Sequence, residues 1–153
     1  MRKICAALAL LSLVILSSCA EVRSAHSMLF ELVSGYGAVG TVFSEEVAEG
    51  EAGYAHDGFF EMIFENPPDP ETEWAVFLSS SIDYGGECGV FVARDTSSEL
   101  YATDLVLSRI HFLQDIGYAK DYVLIRRGGV VFYSTLPDTA LAARLFKRID
   151  LTE

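Results

Sequence analysis

Few residues in this chain have both the type and the spacing that chemistry requires. His56-Asp57, with Glu61 four residues on, would supply an imidazole base and two carboxylates to an exported hydrolase. Adjacent residues rarely converge on one substrate, so this set depends on a fold that gathers it. His26 and His111 stand apart, and no H-x-x-x-H or H-E-x-x-H spacing points to zinc. No G-x-S-x-G elbow offers a serine nucleophile. Cys88, inside "ECGVFV", has no histidine near it in sequence to activate a thiolate, and reads as a buried, inert thiol. Arg126-Arg127 would hold a carboxylate or phosphate at a hairpin tip; solvent-facing protection of a sheet edge is the competing reading.

Two further patterns carry less chemistry. Gly35-Tyr36-Gly37-Ala38-Val39-Gly40 matches G-x-G-x-x-G, yet a helix-like segment precedes it where a dinucleotide site needs a strand. It reads as a flexible loop, and no cofactor is expected. The acids Glu45, Glu46, Glu49 and Glu51 before Asp57, and Asp69, Glu71 and Glu73 after it, lack the order of an EF-hand. They read as solvated acidic loops, with no metal site expected; weak divalent-ion or small-ligand binding is an alternative.

The clearest signal is at the front. Arg2-Lys3 precedes the apolar run Ile4 to Leu16, which falls short of the roughly 20 residues a membrane-spanning helix needs. The length and flanks are those of a secretory signal. Leu16-Ser17-Ser18-Cys19 resembles the bacterial lipobox, which implies cleavage before Cys19 and a diacylglyceryl group on its sulfur. Residues 1–18 are then a signal peptide, and membrane lipid is the partner of Cys19 on the extracytoplasmic face of the cell membrane. Two acyl chains anchor firmly where one binds only reversibly. Ordinary cleavage after a small-x-small site would explain Ser18 and leave Cys19 a coincidence.

The full chain has 11 Lys+Arg against 22 Asp+Glu, a net charge of −11. Loss of Arg2 and Lys3 leaves 9 against 22, or −13. Such a surface repels nucleic acid and anionic lipid, so neither is expected as a partner of the folded domain. With Cys5 gone and Cys19 acylated, Cys88 has no disulfide partner within the chain.

The elements that must position these residues follow from periodicity. Residues 19–27 form the lipidated cysteine and a short tether, 28–72 a helical and loop segment, and 73–150 an α+β core. "SMLFELV" (27–33) predicts a brief helix with Met28, Leu29 and Leu32 on one face. The Gly- and Glu-rich stretch 34–57 predicts loop or marginal helix. "GFFEMIF" (58–64) predicts a short helix stopped by Pro67, Pro68 and Pro70. "EWAVFLSS" and "ECGVFVAR" read as paired strands, and "DYVLIRR" and "GVVFYST" as a second hairpin across Gly128-Gly129. Between them, the capping box Thr96-Ser97-Ser98-Glu99 opens a helix running to Ile116, with Leu105, Phe112, Leu113 and Ile116 inward. A last helix begins around Thr135 to Asp138 and buries Leu141, Leu145, Phe146 and Ile149. The expected fold is an antiparallel four-stranded sheet, β-β-α-β-β-α, with two helices on one face and the N-terminal helices on the other.

"GECGVFVARD", "LSRI" and "GGVVFYSTLPDTALAARLF" together resemble a family of small exported lipoproteins of Gram-positive gut bacteria, known only as a domain of unknown function. The shared features are an acidic residue opening an apolar strand that ends in Lys/Arg-Asp, a basic residue late in the long helix, and a Gly-led final strand running into a helix. The resemblance spans roughly Glu73 to Ile149 and implies the α+β fold and an exported location. It carries no catalytic residues. The function expected is that of a lipid-anchored, non-enzymatic cell-surface protein that binds a protein or small-molecule partner or supports an envelope assembly.

Overall fold

The computed structural model describes residues 22–81 and 86–152. Helix α1 (Ala25–Tyr36) leads into strand β1 (Gly40–Ser44), and a short helix α2 (Phe59–Phe64) precedes strands β2 (Glu73–Ser79) and β3 (Glu87–Val92). The long helix α3 (Thr96–Asp115), strands β4 (Val123–Arg127) and β5 (Val130–Ser134) and helix α4 (Thr139–Arg148) follow. All strand pairs are antiparallel, in the order β1-β2-β3-β5-β4.

The sheet thus has five strands where four were expected. The extra one, β1, lies in the stretch read as loop and pairs with β2 from Gly40 opposite Ser79 to Ser44 opposite Ala75. Its outer edge is partly closed where Ser44 bridges Tyr54 and its N–H donates to the Gly53 carbonyl, as an unpaired edge would otherwise invite further pairing.

Strand alternation divides the core into two. Ala75, Phe77, Cys88, Val90, Val130 and Phe132 face one side, against Met28, Leu29 and Leu32 of α1 and Ala142 and Phe146 of α4. Trp74, Val76, Phe91, Val131 and Tyr133 face the other, against Phe59, Phe60 and Phe64 of α2 and Leu105, Val106 and Ile110 of α3. The assignment of strand residues to faces agrees with their period of two. The helices do not divide as expected: α3 and α4 lie on opposite faces, each beside one N-terminal helix. Each fully buried Phe, Leu or Val contributes roughly 1.5–3 kcal/mol, so both layers hold the sheet.

Local chemistry sets the boundaries. Helix α1 is longer than its apolar stripe, because the Ser24 side chain accepts from the Ser27 N–H and starts it early. Helix α3 is capped by Asp95 and not by Thr96: its carboxylate accepts from the Ser98 N–H at 2.8 Å, and an ionised acceptor outdoes a hydroxyl at the positive end of a helix. That bond holds the Asp95 carboxyl below its usual range. Helix α4 begins later than expected, with Asp138 accepting from the Leu141 N–H at 2.8 Å; Thr135 instead directly follows β5, its N–H bonded to the Glu87 carbonyl. Gly128 and Gly129, both with positive φ, form the two-residue turn between β4 and β5.

Helices α1 and α4 run side by side in opposite directions. The Tyr36 hydroxyl accepts from the Asp138 N–H at one end, while Arg23 reaches the Asp150 carbonyl at the other. There Val22 bridges Thr152, so the two ends of the described chain meet.

Candidate functional site

The most concentrated polar chemistry lies between β3, β5 and α3. Glu87, 2 % exposed, opens β3 and receives two parallel bonds from Arg109, Nε to Oε1 at 2.9 Å and Nη2 to Oε2 at 2.7 Å. The Tyr133 hydroxyl donates to Oε1 at 2.8 Å. Burial would lower the guanidinium pKa; the Glu87 bonds outweigh it and hold Arg109 above its ordinary value. Burial, with the carboxylate beside it, raises the Tyr133 phenol well above its own. Tyr133 fits because its register partner is Gly89: a Cβ there would stand 2.6 Å from the Tyr133 ring.

These are the acidic residue opening an apolar strand and the basic residue late in the long helix that the sequence sets 22 positions apart. Neither was read as a site residue. The available signal was a carboxylate inside an otherwise apolar run, which must find a cation if it is buried.

Arg109 also faces outward. Its Nη1 makes no hydrogen bond to the described residues, and its guanidinium lies 5.5 Å from the centre of the Phe112 ring. It forms one wall of a recess of about 90 Å³ between α2 and α3, with Met62, Phe64, Glu65, Ser108 and Phe112. Phe112 and Ile116, both expected inward, are 45 % and 58 % exposed, and Met62 is 65 % exposed. Leu113, in the same stretch of α3, is buried; Phe112 and Ile116 stand about 100° and 60° round the helix from it, on the flank and not on the inward face. Glu65, at φ 65, holds a left-handed conformation that costs a side chain roughly 1–2 kcal/mol and ends α2, its N–H donating to the Glu61 carbonyl.

The residues singled out from sequence fall elsewhere. Cys19 lies outside the described residues. Arg126 and Arg127 are consecutive strand residues and point to opposite faces, so they do not form one clamp. Arg126 pairs with Glu99 at 2.7 Å. Arg127 donates to the Lys147 and Ile149 carbonyls at 2.9 and 2.6 Å and lies over the Phe146 ring, capping the carboxyl end of α4. Cys88 is wholly buried, and burial pushes its thiol far above the reactive range.

His56, Asp57 and Glu61 do come together. With Glu45, Phe60 and Trp74 they line an open recess of about 260 Å³. His56, Asp57 and Glu61 are exposed; the His56 Nδ1 meets the Asp57 backbone carbonyl at 2.9 Å, and Glu45 accepts from the Trp74 indole at 3.0 Å. Three of the other acids are bonded within the fold. Glu46 accepts from the Ser24 hydroxyl, Glu73 from the Ala25 N–H at the start of α1, and Asp69 from Glu71 and Ser98. Among the described residues no group of three or more His, Cys, Asp or Glu side chains is placed to hold a metal ion, and no helix is long and apolar enough to cross a membrane. The glycine pattern runs from the last turn of α1 into β1, the reverse of the strand-to-helix order a dinucleotide site uses. Comparison with protein-family models, curated proteins and solved structures finds no match for the chain.

Proposed function

We propose that this is an exported protein anchored through lipid on Cys19, whose domain works by binding a protein partner at the cell envelope and not by catalysis. The observation that carries the binding role is the recess beside Arg109. Met62 and Phe112 on its wall leave apolar surface exposed, and Nη1 of Arg109 has donors to spare. A guanidinium already neutralised by Glu87 suits a neutral acceptor, and an apolar rim suits a side chain next to it. A peptide segment offers both, a backbone carbonyl and a hydrophobic anchor. The lipobox resemblance at Leu16 to Cys19 supports the location, and the family resemblance over Glu73 to Ile149 supports the same class of protein.

The test is a photo-crosslinking residue at Met62 in intact cells. A discrete adduct formed there, absent from the same residue at exposed Glu49 and lost on Phe112→Ala, supports the reading; equal labelling from both positions removes it. Cys19→Ala should release the protein from membranes or leave it unprocessed, and unchanged mass with membrane retention would refute lipidation.

A second reading rests on the convergence of His56, Asp57 and Glu61 on one recess: an exported hydrolase with the histidine as base and a carboxylate as acid or orienting group. It predicts turnover of ester, peptide or glycoside substrates that falls at least about a hundredfold in His56→Ala. Absence of turnover across such a panel removes it.

A further inference from the structure

The start of the described chain and the carboxyl end of α4 lie at the same end of the molecule. Val22 bridges Thr152, and the Arg23 N–H donates to the Leu151 carbonyl at 2.9 Å. Only two residues, Ala20 and Glu21, separate Val22 from Cys19, three Cα-to-Cα steps with a reach of about 11 Å at most. Thr152 in turn lies four residues beyond the end of α4 at Arg148. A lipid on Cys19 would therefore hold the carboxyl end of α4 close to the membrane.

That helix carries the least expected surface in an acidic protein. Arg144, Lys147 and Arg148 are spaced i, i+3 and i+4, so they share one face, and all three are exposed. Among the described residues none of them is in an ion pair. Beside them, α1 contributes one carboxylate, Glu31, and Arg23 neutralises it at 2.8 Å. The opposite layer has the other sign. Helices α2 and α3 carry Glu61, Asp104 and Asp115 outside any ion pair between described residues, while Glu99 is paired with Arg126 and the cation among them, Arg109, is held by Glu87. The helix dipole accounts for basic residues in the last turn of α4, but Arg144 lies before that turn and extends the stripe along the helix. Exposed charges are screened within about 8–10 Å, so a nearby surface feels this stripe and not the net charge of the whole domain.

We propose that the α1/α4 layer is the face this protein lays against an anionic phospholipid surface, with Arg144, Lys147 and Arg148 on the headgroup phosphates. The inference rests on the anchoring of Cys19. It reverses the repulsion that net charge alone implies, and turns the α2/α3 layer, with its recess, away from the membrane.

The experiment uses the full lipidated chain in vesicles, with a fluorophore on Ala140→Cys of α4 or Asp104→Cys of α3 and a nitroxide on the lipid headgroups. Both positions are exposed, and Cys88 is too buried to react. In phosphatidylglycerol vesicles the α4 probe should be quenched at least about threefold more than the α3 probe. The bias should fall to the smaller value the tether alone gives in pure phosphatidylcholine, and in Arg144→Gln/Lys147→Gln/Arg148→Gln on either lipid. Equal quenching on phosphatidylglycerol by protein that stays on the vesicles overturns the docking face and leaves the anchor intact. A bias undiminished in the triple variant overturns it as well. Protein that leaves the vesicles fails the anchor, and this proposal with it.

Discussion

Each face of the sheet half-buries one arginine beside a phenylalanine, and the two are used differently. On the α2/α3 side, Arg109 lies over Phe112 and binds a carboxylate from the start of β3. On the α1/α4 side, Arg127 lies over Phe146 and binds carbonyls from the end of α4. The first joins a full charge to a full charge; the second joins a full charge to the partial charges of a helix end. The difference teaches where the fold is brittle. A buried ion pair is worth little as a pair, but losing one member strands the other in a low-dielectric site. Carbonyls left by a lost arginine can turn to water, since α4 ends at an exposed corner.

The largest expected effect therefore belongs to Arg109. Arg109→Met should cost about 3–5 kcal/mol in urea unfolding by leaving Glu87 unpaired. The double variant with Glu87→Leu should recover a large part of it; equal losses in the single and double variants would show that the charge is not the cause. Arg127→Met should cost about 1.5–3 kcal/mol, with no rescue by a second change. A loss as large as that of Arg109→Met would erase the contrast between the two faces.

Gly89→Ala sharpens the comparison from the side of Tyr133. The added methyl presses on the ring that reaches Glu87, at about 1–3 kcal/mol. It should cost less when combined with Tyr133→Leu, which frees the space.

The smallest effect is one of pH. Burial first, and the nearby Glu46 and Glu45 carboxylates after it, raise Glu73 above its ordinary 4.5, against the pull of the Ala25 N–H. A carboxyl whose folded pKa is raised binds its proton more tightly in the native state. Its contribution is thus fully present below the unfolded value and is lost as pH rises through the folded one. Glu73→Gln should raise the thermal midpoint at neutral pH and flatten the dependence just above pH 4.5. Asp95 and Asp150 act oppositely: the Ser98 and Thr152 N–H groups lower them, so their support falls away on acidification below their ordinary 3.8. A variant with the wild-type profile would mean that Glu73 is no more burdened than an exposed carboxylate.

Much of the sheet was legible in the chain. The runs at Trp74 to Leu78 and Val130 to Tyr133 alternate well enough to assign each residue to its face, and Gly128-Gly129 marks a turn that few other pairs could make. Strand β1 was hidden because "GTVFS" is short and sits among glycines and glutamates; only its pairing with β2 makes it a strand. Nor could periodicity say which helix covers which face. An apolar stripe requires cover but does not name it. The same blindness put Phe112 and Ile116 inward with Leu113, since an apolar stripe does not reveal how much of its width is covered. For the site, Glu87 and Arg109 were visible as types, but their meeting depends on the crossing of α3 over β3, which no local pattern records. His56, Asp57 and Glu61, by contrast, are near enough in sequence for one turn to gather them.

Cys88 sits in the central strand with Phe77 opposite on one side and Ser134 on the other, and none of it reaches solvent. For a thiol reagent to find it, β3 must leave both neighbours. Its rate of modification is then a clock for the opening of the whole sheet. Under conditions where reclosing outpaces labelling, that clock reads the equilibrium between closed and open chains. When labelling is the faster step, it reads the rate at which the sheet first parts.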